Sequence, residues 1–113
     1  MRFLKVLSLM FAPLAMPTST AWAMNSGPGT VIRINVEAPG VAIVTVSGPT
    51  SGTWPACASL QRYAVNASTA AGQAIYAAIL SAKMAGQKIT VTGAGNCSIW
   101  GDSETIATMS VEP

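Results

Sequence analysis

Two tryptophans stand at mirrored distances from two cysteines. Trp54 lies three residues before Cys57, and Trp100 three residues after Cys97. If the cysteines are bonded, their Cα atoms sit within about 7 Å of each other, which tethers both indoles to one neighbourhood. Two readings follow. The indoles pack over the disulfide and close one end of the fold, as aromatics do when they bury their large surface. Alternatively they form an exposed platform that stacks on a sugar or anchors a partner. The Pro/Gly-rich surroundings of Trp54 and the Gly101 beside Trp100 are loop-like and favour exposure. Trp54, Trp100 and the nearby Asp102 are therefore the candidate ligand-binding residues.

Reaction chemistry is harder to find. The chain has no histidine, which removes Ser-His-Asp and Cys-His nucleophilic arrangements and histidine-based metal sites. Cys57 and Cys97 are its two cysteines, and a disulfide leaves no thiolate. Asp102 and Glu104 are the sole close pair of acids. Glycoside hydrolysis needs two carboxyl groups facing each other across about 5–9 Å, whereas two acids in one short turn read as solvated loop residues, with Asp102 folding back on its own backbone. Gly93-Ala94-Gly95 follows a strand but leads to Cys97 rather than opening a helix, so it reads as a turn and not a phosphate loop. Asn66-Ala67-Ser68 matches a glycosylation acceptor, although its place before a helix suggests capping. No catalytic residue, metal ligand or cofactor is expected, and the chain reads as a non-enzyme.

The N-terminus supplies the context. Arg2 and Lys5 precede the apolar stretch from Phe3 to Met16, then come polar residues and Ala21-Trp22-Ala23. Charge, apolar run and small-x-small site form a secretory signal, and the run is shorter than the roughly 20 residues a membrane span needs. Cleavage after Ala23 is predicted, so residues 1–23 are the leader and residues 24–113 a single domain. The location is periplasmic or extracellular, where paired cysteines oxidise, and a bridge of this span contributes roughly 4 kcal/mol in the chain-entropy account. The net charge of +2 resides in Arg2 and Lys5. The remaining Arg33, Arg62, Lys83 and Lys88 balance Glu37, Asp102, Glu104 and Glu112. Four scattered cations make no phosphate-binding surface, which argues against nucleic acid and for neutral ligands or protein contacts.

The elements that must position these residues are legible from periodicity. Val31–Glu37 alternates, placing Ile32, Ile34 and Val36 on one face. The Ala38-Pro39-Gly40 break makes a hairpin with Val41–Val46. Met24–Gly29 reads as a loose lead-in, Ser47–Pro55 as a loop and Cys57–Val65 as a third strand. Thr69–Ala85 is a helix, with one stripe of Ile75, Ile79 and Ala82 and a neighbouring one of Tyr76, Leu80 and Met84. Ser68 or Thr69 caps it and Gly86 stops it. A fourth strand alternates at Ile89 and Val91. A fifth, Thr105–Glu112, turns Ala107, Met109 and Val111 to one side. The class is β-rich α+β, ordered β-β-β-α-β-β. That order fits an OB-fold-like five-stranded barrel with one helix between strands 3 and 4, and also a split sheet packed on one helix.

The chain also resembles the secreted OB-fold B subunits of AB5-type toxins, of the subtilase cytotoxin and pertussis-like kind. The resemblance is carried by Gly29-Thr30-Val31-Ile32 at the first strand, Cys57-Ala58 on the third, and Gly86-Gln87 at the helix end followed by Lys88-Ile89-Thr90-Val91. It implies a homo-oligomeric ring that binds cell-surface glycans and carries a toxin A subunit. Those sugar sites use a serine near the first strand and aromatics near the helix end. Here Pro28 precedes that strand and Ser81-Ala82-Lys83 occupies the helix end, so no sugar-binding residue transfers by position. The expectation is a secreted, non-enzymatic binding protein, of the glycan-binding B subunit kind if the resemblance holds, with a periplasmic protein-docking or inhibitor domain as the alternative; the alanine-rich helix offers a homo-oligomer contact.

Overall fold

A computed structural model describes residues 23–113; the expected leader, apart from Ala23, lies outside the described residues. The architecture is β-rich α+β. Among the described residues, seven strands are β1 (Met24–Gly29), β2 (Val31–Glu37), β3 (Val41–Val46), β4 (Thr50–Gly52), β5 (Tyr63–Asn66), β6 (Ile89–Gly93) and β7 (Glu104–Val111), and one helix, α1 (Ala70–Ala85), lies between β5 and β6. Their order across the sheet is β2-β3-β5-β7-β6-β1-β4. Every pairing is antiparallel except β5 with β7, where Tyr63 stands beside Glu104.

The helix ends where its local chemistry dictates. Thr69 is extended (φ −98°, ψ 154°) and its Oγ1 accepts from the Gly72 amide at 3.0 Å, satisfying one of the donors that a first turn leaves free. Gly86 takes the left-handed conformation (φ 68°), and the Gln87 amide donates to Ala82 O at 2.9 Å. Ile79 and Ala82 are buried, with Ile75 and Tyr76 packed at the edge of the same core. Of the second expected stripe only Tyr76 reaches the core; Leu80 is exposed, and Met84 is 81% exposed. No helix among the described residues is long and apolar enough to cross a membrane.

Four strand expectations change. Met24–Gly29 is not a lead-in but β1, paired with β4 on one side and β6 on the other, with Met24 and Ser26 buried. Thr50–Gly52, inside the expected loop, is β4. The third strand is confined to Tyr63–Asn66, because residues 56–61 form turns closed by Ala58 N to Pro55 O and Gln61 N to Ala58 O. The fourth change concerns faces. In β2 the register slips between Val31 and Arg33, so the extra residue Ile32 bulges out and is 58% exposed, while Val31 is buried and Ile34 packs on the same core. In β7 a slip opposite Thr92 and Gly93 leaves Ala107 unpaired and exposed, and Ile106 takes the core position. A bulge adds one residue to one strand and reverses the faces beyond it.

β3 is buried on both faces. Ala42 and Val44 join Tyr63, Val65, Ile79, Ile89 and Val91 in the main core, whereas Val41 and Ile43 join Ala64 in a second, smaller cluster. Residues that alternate along a strand point to opposite faces, so the β3–β5 pair separates two apolar layers.

Candidate functional site

The disulfide Cys57–Cys97 is present, with Cα atoms 6.1 Å apart and 40 positions between its ends in sequence. It joins the segment between β4 and β5 to the segment between β6 and β7. Further bonds stitch the same two segments. Arg62 Nη2 donates to Asp102 Oδ1 at 2.9 Å, and the Leu60 amide donates to Asp102 O at 3.5 Å. Asp102 Oδ1 also accepts from the Ser103 hydroxyl at 2.8 Å. These two bonds, the Ser103 bond first, hold the Asp102 carboxyl below its usual range. Asp102 thus turns back on its own backbone, as its place in a short turn suggested, and also clasps the two loops through Arg62.

The two tryptophans part company. Trp54 leans on the main core, its ring centroid 5.0 Å from that of Tyr63 with a 45° tilt. Trp100 packs with Ile99 on the second cluster, against Val41, Ile43 and Ala64. Tyr63 and Ala64 are consecutive in β5 and point to opposite faces, and each indole follows its own face. The bridge brings the backbones together, but the indoles do not form one platform.

A cleft of about 580 Å³ opens beside Trp54, lined also by Met24, Ser26, Thr45, Val46, Thr50, Leu60, Gln61 and Tyr63. Its position follows from the fold: β1, β3 and β4 contribute polar side chains, and the turns after Pro55 bring Leu60 and Gln61 over the opening. Gln61 sits in the left-handed region at φ 50°, a conformation uncommon outside glycine. At the floor, the Tyr63 hydroxyl shares a hydrogen bond with Ser26 Oγ at 2.7 Å and donates to Met24 O at 3.3 Å. Burial, opposed by the Ser26 bond and reinforced by the charge of Glu104, pushes the Tyr63 phenol up to about 12. Among the described residues, the cleft wall carries no carboxylate, lysine or arginine.

Glu104 departs furthest from its sequence reading. Expected to be a solvated loop acid, it is 0% exposed. Its Oε1 accepts from the Met24 amide at 3.1 Å, its Oε2 from the Gly95 amide at 2.8 Å. A Cβ at Gly93 would overlap the Glu104 carboxylate, so glycine is needed there for close approach. Gly93-Ala94-Gly95 is a turn that cradles a carboxylate. Asp102 and Glu104 occupy different environments and do not face each other across a cleft. No group of three or more His, Cys, Asp or Glu that could hold a metal ion occurs among the described residues.

Tyr63, Ser26 and Gln61 escaped sequence reasoning. Tyr63 lay inside the expected third strand with nothing to mark its partner, and Ser26 lay in a segment without periodicity. Comparison with known proteins yields no relative: no family model, no curated protein and no solved structure matches this chain.

Proposed function

We propose that this chain is an exported, non-enzymatic binding protein whose ligand enters the cleft beside Trp54, and that the ligand is a neutral polar molecule of the glycan class. One observation carries the reading: a half-buried indole borders a cleft whose other lining groups are uncharged hydroxyls, an amide and aliphatic side chains. Sugars present one apolar face and many hydroxyls, which such a wall matches by stacking and neutral hydrogen bonds. The volume falls within the range of small-ligand sites, about 300–1,000 Å³. Of the three candidate residues, Trp54 is the one retained; Trp100 and Asp102 support the loops around it.

The OB-type frame belongs to the same proposal. Only Thr30 separates β1 from β2, and treating them as one strand joins the β6 side of the sheet to the β3 side. The parallel β5–β7 pair and the helix between β5 and β6 suit that topology. Assembly into a ring around a toxin A subunit remains a corollary of the resemblance. A second reading, docking on an envelope protein, is favoured by the exposed Ile32, Val36 and Met84.

A glycan array probed with the exported protein tests the proposal. Binding to a defined glycan, lost in Trp54→Ala and Gln61→Ala but kept in Trp100→Ala, is the expected result. An array without signal, together with capture of an envelope protein that all three variants retain, overturns it.

A further inference from the structure

Among the described residues, no cation pairs with the buried Glu104 carboxylate. Arg62–Asp102 is the one salt bridge among the described residues, and Glu104 is held by two backbone amides alone. A buried charge without a counter-charge is costly. One of those amides belongs to Met24, the residue that follows the expected cleavage site.

We infer that removal of the leader creates the missing cation: the α-ammonium of Met24, formed by cleavage after Ala23, pairs with Glu104 inside the fold. The inference rests on the export reading above. A leader peptidase supplies the cleavage and one water is consumed. The Ala23–Met24 peptide bond breaks, the water oxygen joins the Ala23 carbonyl carbon to make a carboxylate, and both water protons pass to Met24 N, which becomes an ammonium. The nitrogen needs to move only a few tenths of an ångström. Met24 N already lies 3.1 Å from Glu104 Oε1, just outside the roughly 2.7–2.9 Å of a charge-assisted hydrogen bond. Met24 is buried and paired with Gly52 in β1, so cleavage precedes folding. An unprocessed chain keeps a neutral amide at this position and leaves Glu104 unbalanced. Processing therefore completes the core, and the precursor is the less stable form during export.

The surroundings leave little else to titrate. β4 and β6, which flank β1, carry no ionisable side chain, and β7 carries Glu104 alone. β5 brings Tyr63, whose phenol is pushed up to about 12 and stays neutral through the relevant range. Asp102, in the neighbouring loop, is engaged with Arg62. Pairing raises the folded pKa of the ammonium above its ordinary value of about 7.7–8.0. Its stabilisation is then complete below that value and is lost as pH rises through the folded pKa.

The experiment exports the full chain, identifies the N-terminus of the released protein by mass spectrometry, and follows the Met24 α-amine by NMR from about pH 6 to about pH 11. An N-terminus at Met24 whose amine ionises at least tenfold less readily than an ordinary α-amine is expected, and Glu104→Gln should abolish that shift. If Glu104→Gln fails to fold, the native titration decides by itself. An N-terminus elsewhere overturns the export reading along with the pairing. Met24 at the N-terminus with an ordinary or lowered pKa overturns the pairing alone.

Discussion

The two loops that carry Trp54 and Trp100 begin from the same arrangement in sequence and end in opposite roles. Each indole stands three residues from a bridged cysteine, yet Trp54 borders a polar cleft on the main-core face, and Trp100 seals a small apolar cluster on the other. A disulfide constrains two Cα positions and says nothing about the direction of a side chain three residues away. That direction is set by the strand beneath: Tyr63 offers an aromatic partner on one face of β5, Ala64 a shallow apolar patch on the other. Proximity imposed by a covalent bond is therefore weak grounds for a shared site.

The harshest way to break this comparison is to remove what the two loops share. Cys57→Ser and Cys97→Ser should each lower stability by roughly 4 kcal/mol, and the double variant should lose little more than either alone, because both open the same loop. Urea unfolding of the three proteins measures this, and additive losses would show the cysteines acting separately. The alanine variants of the tryptophans sharpen it. Both indoles are half-buried, so each alanine variant should lose less than the roughly 3–5 kcal/mol of a core tryptophan, and Trp54→Ala, which removes packing on Tyr63 and the main core, should lose more than Trp100→Ala over the smaller cluster. Equal losses in urea, with strong coupling in the double variant, would restore a single aromatic patch.

The smallest effect concerns the clasp between the loops. Asp102 has a lowered pKa in the folded protein, so its contribution is present above the ordinary carboxylate value of 3.8 and is lost as pH falls through the lower, folded value. The carboxylate is in part exposed and solvent screens the pair, so the change in urea midpoint between neutral and acid solution should be modest. Asp102→Asn should flatten that change. An acid dependence that persists unchanged in Asp102→Asn would assign it to another carboxylate.

How far the sequence determined this protein depends on the range of the interactions. The helix was legible because Thr69 and Gly86 act within one turn of themselves and the 4-and-3 spacing of Ile75, Ile79 and Ala82 is a local pattern. The Val31–Glu37 and Val41–Val46 hairpin was legible from the Ala38-Pro39-Gly40 break, and the pairing of the two cysteines from the signal-like pattern of the N-terminus. The bulges at Ile32 and Ala107 were not legible, because period-two alternation assumes an unbroken register, and a slip is decided by the partner strand. Nor was β1, whose Gly27-Pro28-Gly29 lacks strand propensity and which forms because β4 and β6 bracket it. Glu104 is the clearest case. Beside Asp102 in sequence it looked like one more solvated acid; its burial depends on an amide 80 positions away in β1 and on the space left open at Gly93. Local chemistry sets where elements begin and end. Which side chains face water, and which charge must find a partner inside, is decided only when distant strands close around them.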